Sequence, residues 1–517
     1  MSKKRKNGRL PVRKDSVQVV ERESTYPYFM NKLKESYKNI LEKWNFAKKP
    51  FVMLIAIYAI AFSAIIRANF SYVDDIGRTY SGYKNWGLTF SRYLSDFLST
   101  FIHGDNYLTD VSPLPQFLAI ILLALSSVIV IYVISEKREI SIWQIIAVLP
   151  LGLSPYFLEC ISFKFDAPYM ALSILVSVIP LLFVTKRPLI YSAAVFLGTL
   201  AMCMTYQVSS GIFPMLVALL CFKRWNEGTS WKDVFKFLFP SVLSYGLGLV
   251  FFQLFLLKSF DGYVSNTLPP LHELPYTIYH NLKRYFSLVI SDFQRIWILL
   301  IILLFLSFLY IAVCNSKQKK RTVFPVAAAV LCVMPLMCFG LYPLLSAPLF
   351  RARAMYGFGV MIAFLAVFDV SAKKVYPVKF ISFALSWLFF VFSFTYGNAI
   401  FSQQEYEDFR IQMAINTMNE LPVFSTDEVK KVQLKGSVRK APSLENSIKH
   451  FPILDRLVPV TFYGSDKWGY YKFANCYKLK NITPVSNLGI DYELPILTDT
   501  MYFTIRGDNQ YILIELK

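Results

Sequence analysis

The sequence predicts an all-α polytopic membrane protein of about eleven transmembrane helices, closed by a small C-terminal α/β extracytoplasmic domain. Three observations carry that expectation. Hydrophobic residues make up 55% of the 517 and charged ones only 17%, which is too apolar for a water-soluble chain of this length. The apolar residues recur in runs of about twenty, the length that crosses a bilayer core. After Asn398 that texture gives way to short alternating segments bounded by turn residues.

The basic start, MSKKRKNGRLPVRK, opens a cytoplasmic segment over 1–50. Roughly fifty polar and basic residues before the first apolar run do not form a cleaved signal peptide. They read as an orientation signal with attraction to anionic lipid. The membrane domain is expected over 51–397, with spans near 51–67, 116–134, 141–158, 169–184, 189–204, 207–222, 233–257, 296–314, 323–343, 355–370 and 379–397. The connections SEKRE (135–139), TKRP (185–188), FKRWNEGTSWKD (222–233), NSKQKKR (315–321) and SAKKVYPVK (371–379) all carry Lys or Arg. Every one falls on the side of the amino terminus, as the charge rule for cytoplasmic loops requires. The intervening loops, 68–115, 159–168, 205–206, 258–295 and 344–354, then face the exterior together with a domain over 398–517.

Within the longest exterior loop, WGLTFSRYLSDFLSTFIHG sets Trp86, Phe90, Tyr93, Leu94, Phe97, Leu98 and Phe101 at helical spacing. One amphipathic helix is expected there, lying as a ledge at the membrane surface or packed on neighbouring spans. In the tail, EYEDFRIQMAINTMNELP reads as a helix, KKVQLKGSV as a strand, NSIKHFPILDRLVP as a helix, and MYFTIRGDNQYILIELK as two strands about a Gly-Asp turn.

The formal net charge of +20 does not signal nucleic acid, because the cations sit between apolar runs and no aromatic-interleaved basic patch accompanies them. Seven cysteines and four scattered histidines show no metal-ligand spacing. Cys160 and Cys476 alone fall in stretches placed outside, and Cys476 reads as a small buried residue.

The polar groups gather on the exterior face. Asp74, Asp75 and Arg78 lie in the first loop, Arg92 on the ledge, Asp166 in the second loop, Tyr206 and Gln207 at the third, and Arg351 and Arg353 in the fifth. Adjacent carboxylates repel and resist dehydration, so a pair at the membrane boundary has solvent, a cation or chemistry to meet. Carboxylates with arginines suit transfer of a sugar from a lipid phosphate to a hydroxyl: the carboxylate takes the proton and the guanidiniums stabilise the departing phosphate. Neighbouring residues on a helix point about 100° apart, so one aspartate enters the site while the other caps, orients or binds a cation. Each group also has a plainer role. Asp74 and Asp75 could cap a helix and pair with Arg78, Asp166 could pair with Lys164, Arg351 and Arg353 could snorkel to lipid phosphates, and Tyr206 and Gln207 could bond across helices.

The pair Asp74-Asp75 followed by Gly77 and Arg78, the SPLPQ motif entering the second span, Asp166, and Tyr206-Gln207 together resemble the Gtr type II (GtrII-like) glucosyltransferases. That family converts O-antigen serotype and belongs to the GT-C class of membrane glycosyltransferases. The resemblance covers roughly 50–400 and is poorer over the tail. It implies a GT-C-like fold and an inverting, polyprenyl-phosphate-sugar dependent hexosyltransferase of the bacterial plasma membrane. The sugar it implies is glucose, moved to a cell-surface polysaccharide or its lipid-linked precursor. It makes Asp74 or Asp75 the catalytic base; Arg78, Arg92, Asp166, Tyr206, Gln207, Arg351 and Arg353, from their place on the exterior face, are the candidates for binding the donor phosphate and substrate. Membrane lipid is a further partner. A divalent cation on the aspartates is left open, since no ligand set is complete in the sequence. Two other classes fit the composition: a glycolipid transporter or flippase, and a membrane-anchored assembly or sensor protein acting through its tail.

Overall fold

A computed structural model describes residues 44–258, 267–372, 376–464 and 467–517. Most of the basic amino-terminal segment and part of the 258–295 loop lie outside these residues, as does the side chain of Cys476. The chain divides into two units, Met1–Lys48 and Lys49–Lys517.

Each expected span coincides with an apolar helix. Seven helices are long and apolar enough to cross a membrane: Asn45–Ala68, Leu114–Ser135, Gln207–Asn226, Trp231–Leu256, Arg295–Cys314, Lys320–Met337 and Pro377–Glu420. An eighth is a pair, Ile142–Leu153 and Pro155–Ser162, bent by 61°. Three more, Ala167–Phe183, Pro188–Cys203 and Gly357–Ser371, are shorter. The protein is therefore a membrane protein, with seven or eight full-length crossings by length and composition among the described residues.

The bend has a local cause. Pro155 offers no N–H to the preceding turn, and Ser154 before it takes extended ψ of 134°. Gly359 lets its helix close onto this break, since a Cβ there would lie 2.2 Å from that of Ser154. Beyond the break, the second half of the pair carries Glu159 into the protein.

The helices define two ends. At one, the basic connections meet: Lys223 pairs with Glu136 at 3.1 Å, Lys317 donates its N–H to Asn226, and Gln144 donates to Ser371. At the other lie the loops that carry the carboxylates and arginines. The helix Gln207–Asn226 runs from one to the other, with Gln207 bonded to Arg92 and Asn226 bonded to Ala312.

The expected amphipathic helix over 86–104 is two helices, Trp86–Phe90 and Tyr93–His103. Ser91, fully buried, takes φ of 56° between them, and its hydroxyl accepts the N–H of Lys258 at 2.8 Å. The break redirects the chain so that Arg92 reaches Gln207. On the second helix the buried face is Ser95 and Ser99, whereas Phe97 and Phe101 are 60% and 70% exposed. In a membrane protein that inversion puts the aromatic stripe toward lipid.

No linker separates the last span from the tail. One helix, Tyr376–Glu420, runs 45 residues, about 67 Å at 1.5 Å per residue against a hydrocarbon core of about 30 Å. Its distal half supplies Ile411, Ala414 and Met418 to the core of a five-stranded sheet, packed against Val432, Leu434, Phe503, Ile505, Ile512 and Ile514. The sheet comprises β1 (Lys430–Gly436), β2 (Ile482–Pro484), β3 (Ile496–Asp499), β4 (Phe503–Gly507) and β5 (Tyr511–Leu516), in the order β2-β1-β5-β4-β3. β1 is parallel to both β2 and β5, and β4 is antiparallel to β5 across the Gly507-Asp508 turn. Arg410 closes one edge by donating to the carbonyls of Tyr502 and Lys517 at 2.6 and 2.9 Å.

The helices after β1 reach back to the membrane bundle. Pro452 splits the expected helix into Pro442–His450 and Leu454–Leu457. From the second, Arg456 forms an ion pair with Asp292 and donates to the Phe350 carbonyl, while the Leu457 carbonyl accepts from the Tyr72 hydroxyl at 2.6 Å. Asp292 is buried and also accepts from Tyr156. Removing Arg456 strands a buried carboxylate, a costly change. Arg456→Ala is expected to lower the melting temperature of detergent-purified protein by a few degrees, and Asp292→Asn in that background to recover most of the loss. Equal melting of the Arg456→Ala and wild-type proteins would show the contact to be dispensable.

Candidate active site

The first-loop helix Asp74–Ser81 starts directly after Tyr72 and Val73. Its two acidic residues have different surroundings. Asp75 is fully buried, and its Oδ2 accepts two backbone N–H groups, from Tyr72 at 3.0 Å and from Lys164 at 3.1 Å. Burial pushes the Asp75 carboxyl up to about 7, against the lowering effects of the Lys164 N–H and of Arg78. Asp74 is half-buried, and its carboxylate makes no hydrogen bond or ion pair among the described residues. Of the adjacent pair, Asp74 is the more exposed and acts on the Arg78 guanidinium by its charge, while Asp75 ties its helix to the segment 162–166.

Arg78 pairs with Asp166, both nearly inaccessible, and its guanidinium lies 4.4 Å from the ring centre of Trp86. Trp86 in turn donates its indole N–H to the other oxygen of Asp166 at 2.5 Å. Burial lowers the guanidinium from its usual range and the charges of Asp74 and Asp75 oppose this. The expected alternative pairings are not the ones formed: Asp166 bonds Arg78, and Lys164 instead bonds Asp110 at 3.0 Å.

The segment 162–166 is extended at Phe163, so successive side chains point to opposite sides. Phe163 packs on Tyr72 at 4.7 Å and under the Arg353 guanidinium at 5.2 Å. Arg353 is held by Glu159, whose oxygens accept its backbone N–H at 2.6 Å and its guanidinium at 2.8 Å. That buried partner replaces the lipid anchoring expected of Arg353. Arg351, two residues earlier, is exposed at the rim. Tyr206 donates to the Arg353 carbonyl at 3.3 Å and lies under Arg92 at 4.6 Å, and Arg92 also donates to Gln207 at 3.3 Å. Gln207 donates to the Phe90 carbonyl.

The structure thus gathers the nine residues singled out in sequence into two connected groups. Asp74, Asp75, Arg78 and Asp166 form one; Arg92, Tyr206, Gln207 and Arg353 form the other, with Arg351 at its edge and Phe163 between them. Among the described residues Arg92 and Arg351 form no ion pair, whereas Arg78 and Arg353 each face a carboxylate. No group of three or more His, Cys, Asp or Glu side chains disposed to hold a metal occurs among the described residues.

Sequence reasoning missed Glu159, Asp110, Trp86 as a ligand of Asp166, and the partner role of Tyr72. Glu159 had a signal: a lone acid at the end of an apolar run needs a partner. Gly77 gains its reason here as well. A Cβ on it would lie 2.7 Å from the Trp468 ring, and Tyr80 on the same helix meets Tyr471 at 5.8 Å, so the tail packs directly on the helix that bears the aspartates.

A bundle of apolar helices with acidic and basic side chains converging at one end defines a polytopic membrane protein with a polar site. The sequence model of the GtrII glucosyl transferases matches residues 63–364, which include every residue of both groups. The chain belongs to the GtrII glucosyl transferase family, and thereby to the glycosyltransferases. A protein of Salmonella phage P22, described as an uncharacterized 55.3 kDa protein in the gtrB 5' region, is 24% identical over 446 residues, covering 81% of this chain and 88% of that one. No solved structure matches.

The raised Asp75 carboxyl has a signed consequence. Between its ordinary range near 3.8 and about 7, the folded protein holds a proton that the unfolded chain releases, so stability falls as pH rises through that window. Asp75→Asn keeps an oxygen to accept both N–H groups and removes the titration. Melting of the detergent-purified variant is expected to be flatter than wild type between pH 4 and about 7, with Asp75→Ala much less stable at every pH. Parallel wild-type and Asp75→Asn profiles would show that Asp75 does not titrate there.

Proposed function

We propose that this protein is an inverting glycosyltransferase that moves a hexose, glucose by family, from a polyprenyl-phosphate donor to a cell-surface polysaccharide or its lipid-linked precursor. In this reading all eleven apolar helices cross or enter the bacterial plasma membrane. The basic end, with the 1–50 segment, faces the cytoplasm; the site and the 398–517 domain face the exterior. The distribution of Lys and Arg supports that orientation.

The observation that carries the mechanism is the contrast between the two adjacent carboxylates. Asp75 is spent on two backbone N–H groups, and Asp74 is reachable and uncommitted on a helix held in place by Asp75 and the Arg78–Asp166 pair. Asp74 takes the proton from the acceptor hydroxyl as its oxygen bonds the anomeric carbon. The bond from that carbon to the phosphate oxygen breaks on the opposite face, and the electron pair leaves with the polyprenyl phosphate. Inversion follows from the single displacement.

The leaving phosphate needs positive charge that is not already neutralised. Arg92 and Arg351 supply it, since Gln207 offers Arg92 no charge and Arg351 is free at the rim. Arg78 and Arg353 act as positioning residues through Asp166 and Glu159. The exposed Phe97–Phe101 stripe beside Arg92 gives the polyprenyl chain an apolar approach.

Asp74→Asn is expected to insert normally and to lower turnover by roughly a hundredfold or more, the scale of a positioned general base. The assay is transfer of radiolabelled glucose from polyprenyl phosphate to surface glycan by purified protein. Asp75→Asn, by contrast, should retain much of the rate. Normal turnover by Asp74→Asn would exclude it as the base. Arg351→Ala should raise KM for the donor about tenfold, the loss of one charge-assisted contact, with KM for the acceptor unchanged; an unaltered donor KM would return Arg351 to a surface role.

A further inference from the structure

The SPLPQ motif has no part in the two groups above, yet it borders a cavity of about 180 Å³ beside them. The cavity lies between the end of the helix Asn45–Ala68, the start of Leu114–Ser135 and the segment 162–164. Its polar lining is Asn69, Ser112, Gln116, Ser162 and Lys164, and Phe70, Pro113 and Ile400 contribute apolar walls. The extended backbone at Phe163 explains the division: residues 162 and 164 line the cavity while Phe163 turns to Tyr72 and Arg353.

Three features narrow the ligand. The Gln116 side chain is 5% exposed, and neither end of its amide has a hydrogen-bond partner among the described residues. The buried hydroxyl of Ser112 makes no well-formed hydrogen bond, with the Asp110 carboxylate, which accepts its N–H at 2.9 Å, beside it. Such groups are normally satisfied, and an amide needs a partner that both donates and accepts. The only charge in the lining, Lys164, is already neutralised by Asp110 at 3.0 Å. A phosphate therefore finds no free cation there, and a phosphodiester has no proton to give the amide oxygen. A hydroxyl offers both functions, and an apolar wall beside polar groups matches the C–H face and hydroxyl rim of a pyranose. The volume is several times the roughly 30 Å³ share of one water.

We infer that this cavity receives one neutral pyranose ring, held by Gln116 and Ser112. Resting on the transferase reading, the ring is that of the acceptor: Lys164 lines the cavity and gives its N–H to Asp75, next to the base, whereas the unpaired arginines lie past Phe163 on the donor's side.

The test has two arms on full-length protein in detergent. In the first, saturation-transfer NMR is recorded with a panel of methyl hexopyranosides. Wild type is expected to show saturation of at least one of them, reduced at least threefold in Gln116→Leu and in Ser112→Ala, both with wild-type melting and elution profiles. No signal from any hexoside, or equal signals in all three proteins, would overturn the assignment and leave the cavity to water only. In the second arm, transfer kinetics with surface glycan should show KM for the acceptor raised about tenfold in Gln116→Leu, with kcat and donor KM unchanged. A change confined to donor KM would overturn the acceptor role. Hexoside binding that depends on Gln116 in a protein incapable of any transfer would sink the transferase reading while leaving the ring site standing.

Discussion

The site depends on one carboxylate that the solvent never meets. Asp75 is buried completely and accepts N–H groups from both sides of the sequence, Tyr72 just before its helix and Lys164 some ninety residues on. A buried acceptor without partners is expensive, whereas one supplied with two backbone donors holds two chain segments in register. Everything nearby uses that register. Lys164 can reach Asp110, Phe163 can lie between Tyr72 and Arg353, and Asp166 can meet Arg78 because the 162–166 segment, extended at Phe163 and turning over 164–166, is pinned at its middle. The upward shift of the Asp75 carboxyl is the cost of this arrangement: the fold keeps the group where burial outweighs the donors it has been given.

A second constraint comes from the opposite direction. The tail is attached to the bundle by a helix with no interruption at the membrane boundary, and it returns through Arg456, Leu457 and Trp468 to Asp292, Tyr72 and Gly77. The helix that carries Asp74 therefore sits between the membrane bundle and the sheet-bearing tail. A rigid continuous helix fixes the tail's height above the bundle, and the contacts at Gly77 and Tyr80 fix its side. Any side chain larger than glycine at 77 has to push Trp468 away, which accounts for a glycine one position before the buried Arg78.

Much of this was legible in the sequence because hydropathy and charge act over whole segments. Each apolar run is a helix, the basic connections do meet at one end, and the strands β1 and β5 follow alternation that burial confirms, whereas β4 is buried on both faces. The acidic pair, Arg78 and Asp166 were likewise visible as residues. Their partners were not, because ion pairing between loops depends on how the 162–166 segment is turned, and Lys164 stood closer in sequence to Asp166 than Arg78 did. The break at Ser91 was hidden for a similar reason: the apolar spacing continues through it, and the left-handed turn is held by the Ser91 and Arg92 N–H groups on the Trp86 carbonyl and by the N–H of distant Lys258 on the Ser91 hydroxyl. Strands β2 and β3 are three and four residues long with no fully buried side chain, so they carry almost no pattern to read.

The arrangement of charge separates two jobs that a sugar transferase site has to perform in one place. Positive charge already matched by a carboxylate, at Arg78 and Arg353, stiffens the walls and does not compete for an anion. Positive charge left unmatched, at Arg92 and Arg351, is what the proposed transfer assigns to the leaving phosphate. Likewise, the Asp75 carboxyl is committed to two backbone N–H groups, and the Asp74 carboxylate makes no hydrogen bond among the described residues. The alternation of committed and uncommitted groups within a few residues, Asp75 beside Asp74 and Arg353 beside Arg351, is how the same short loops serve both ends.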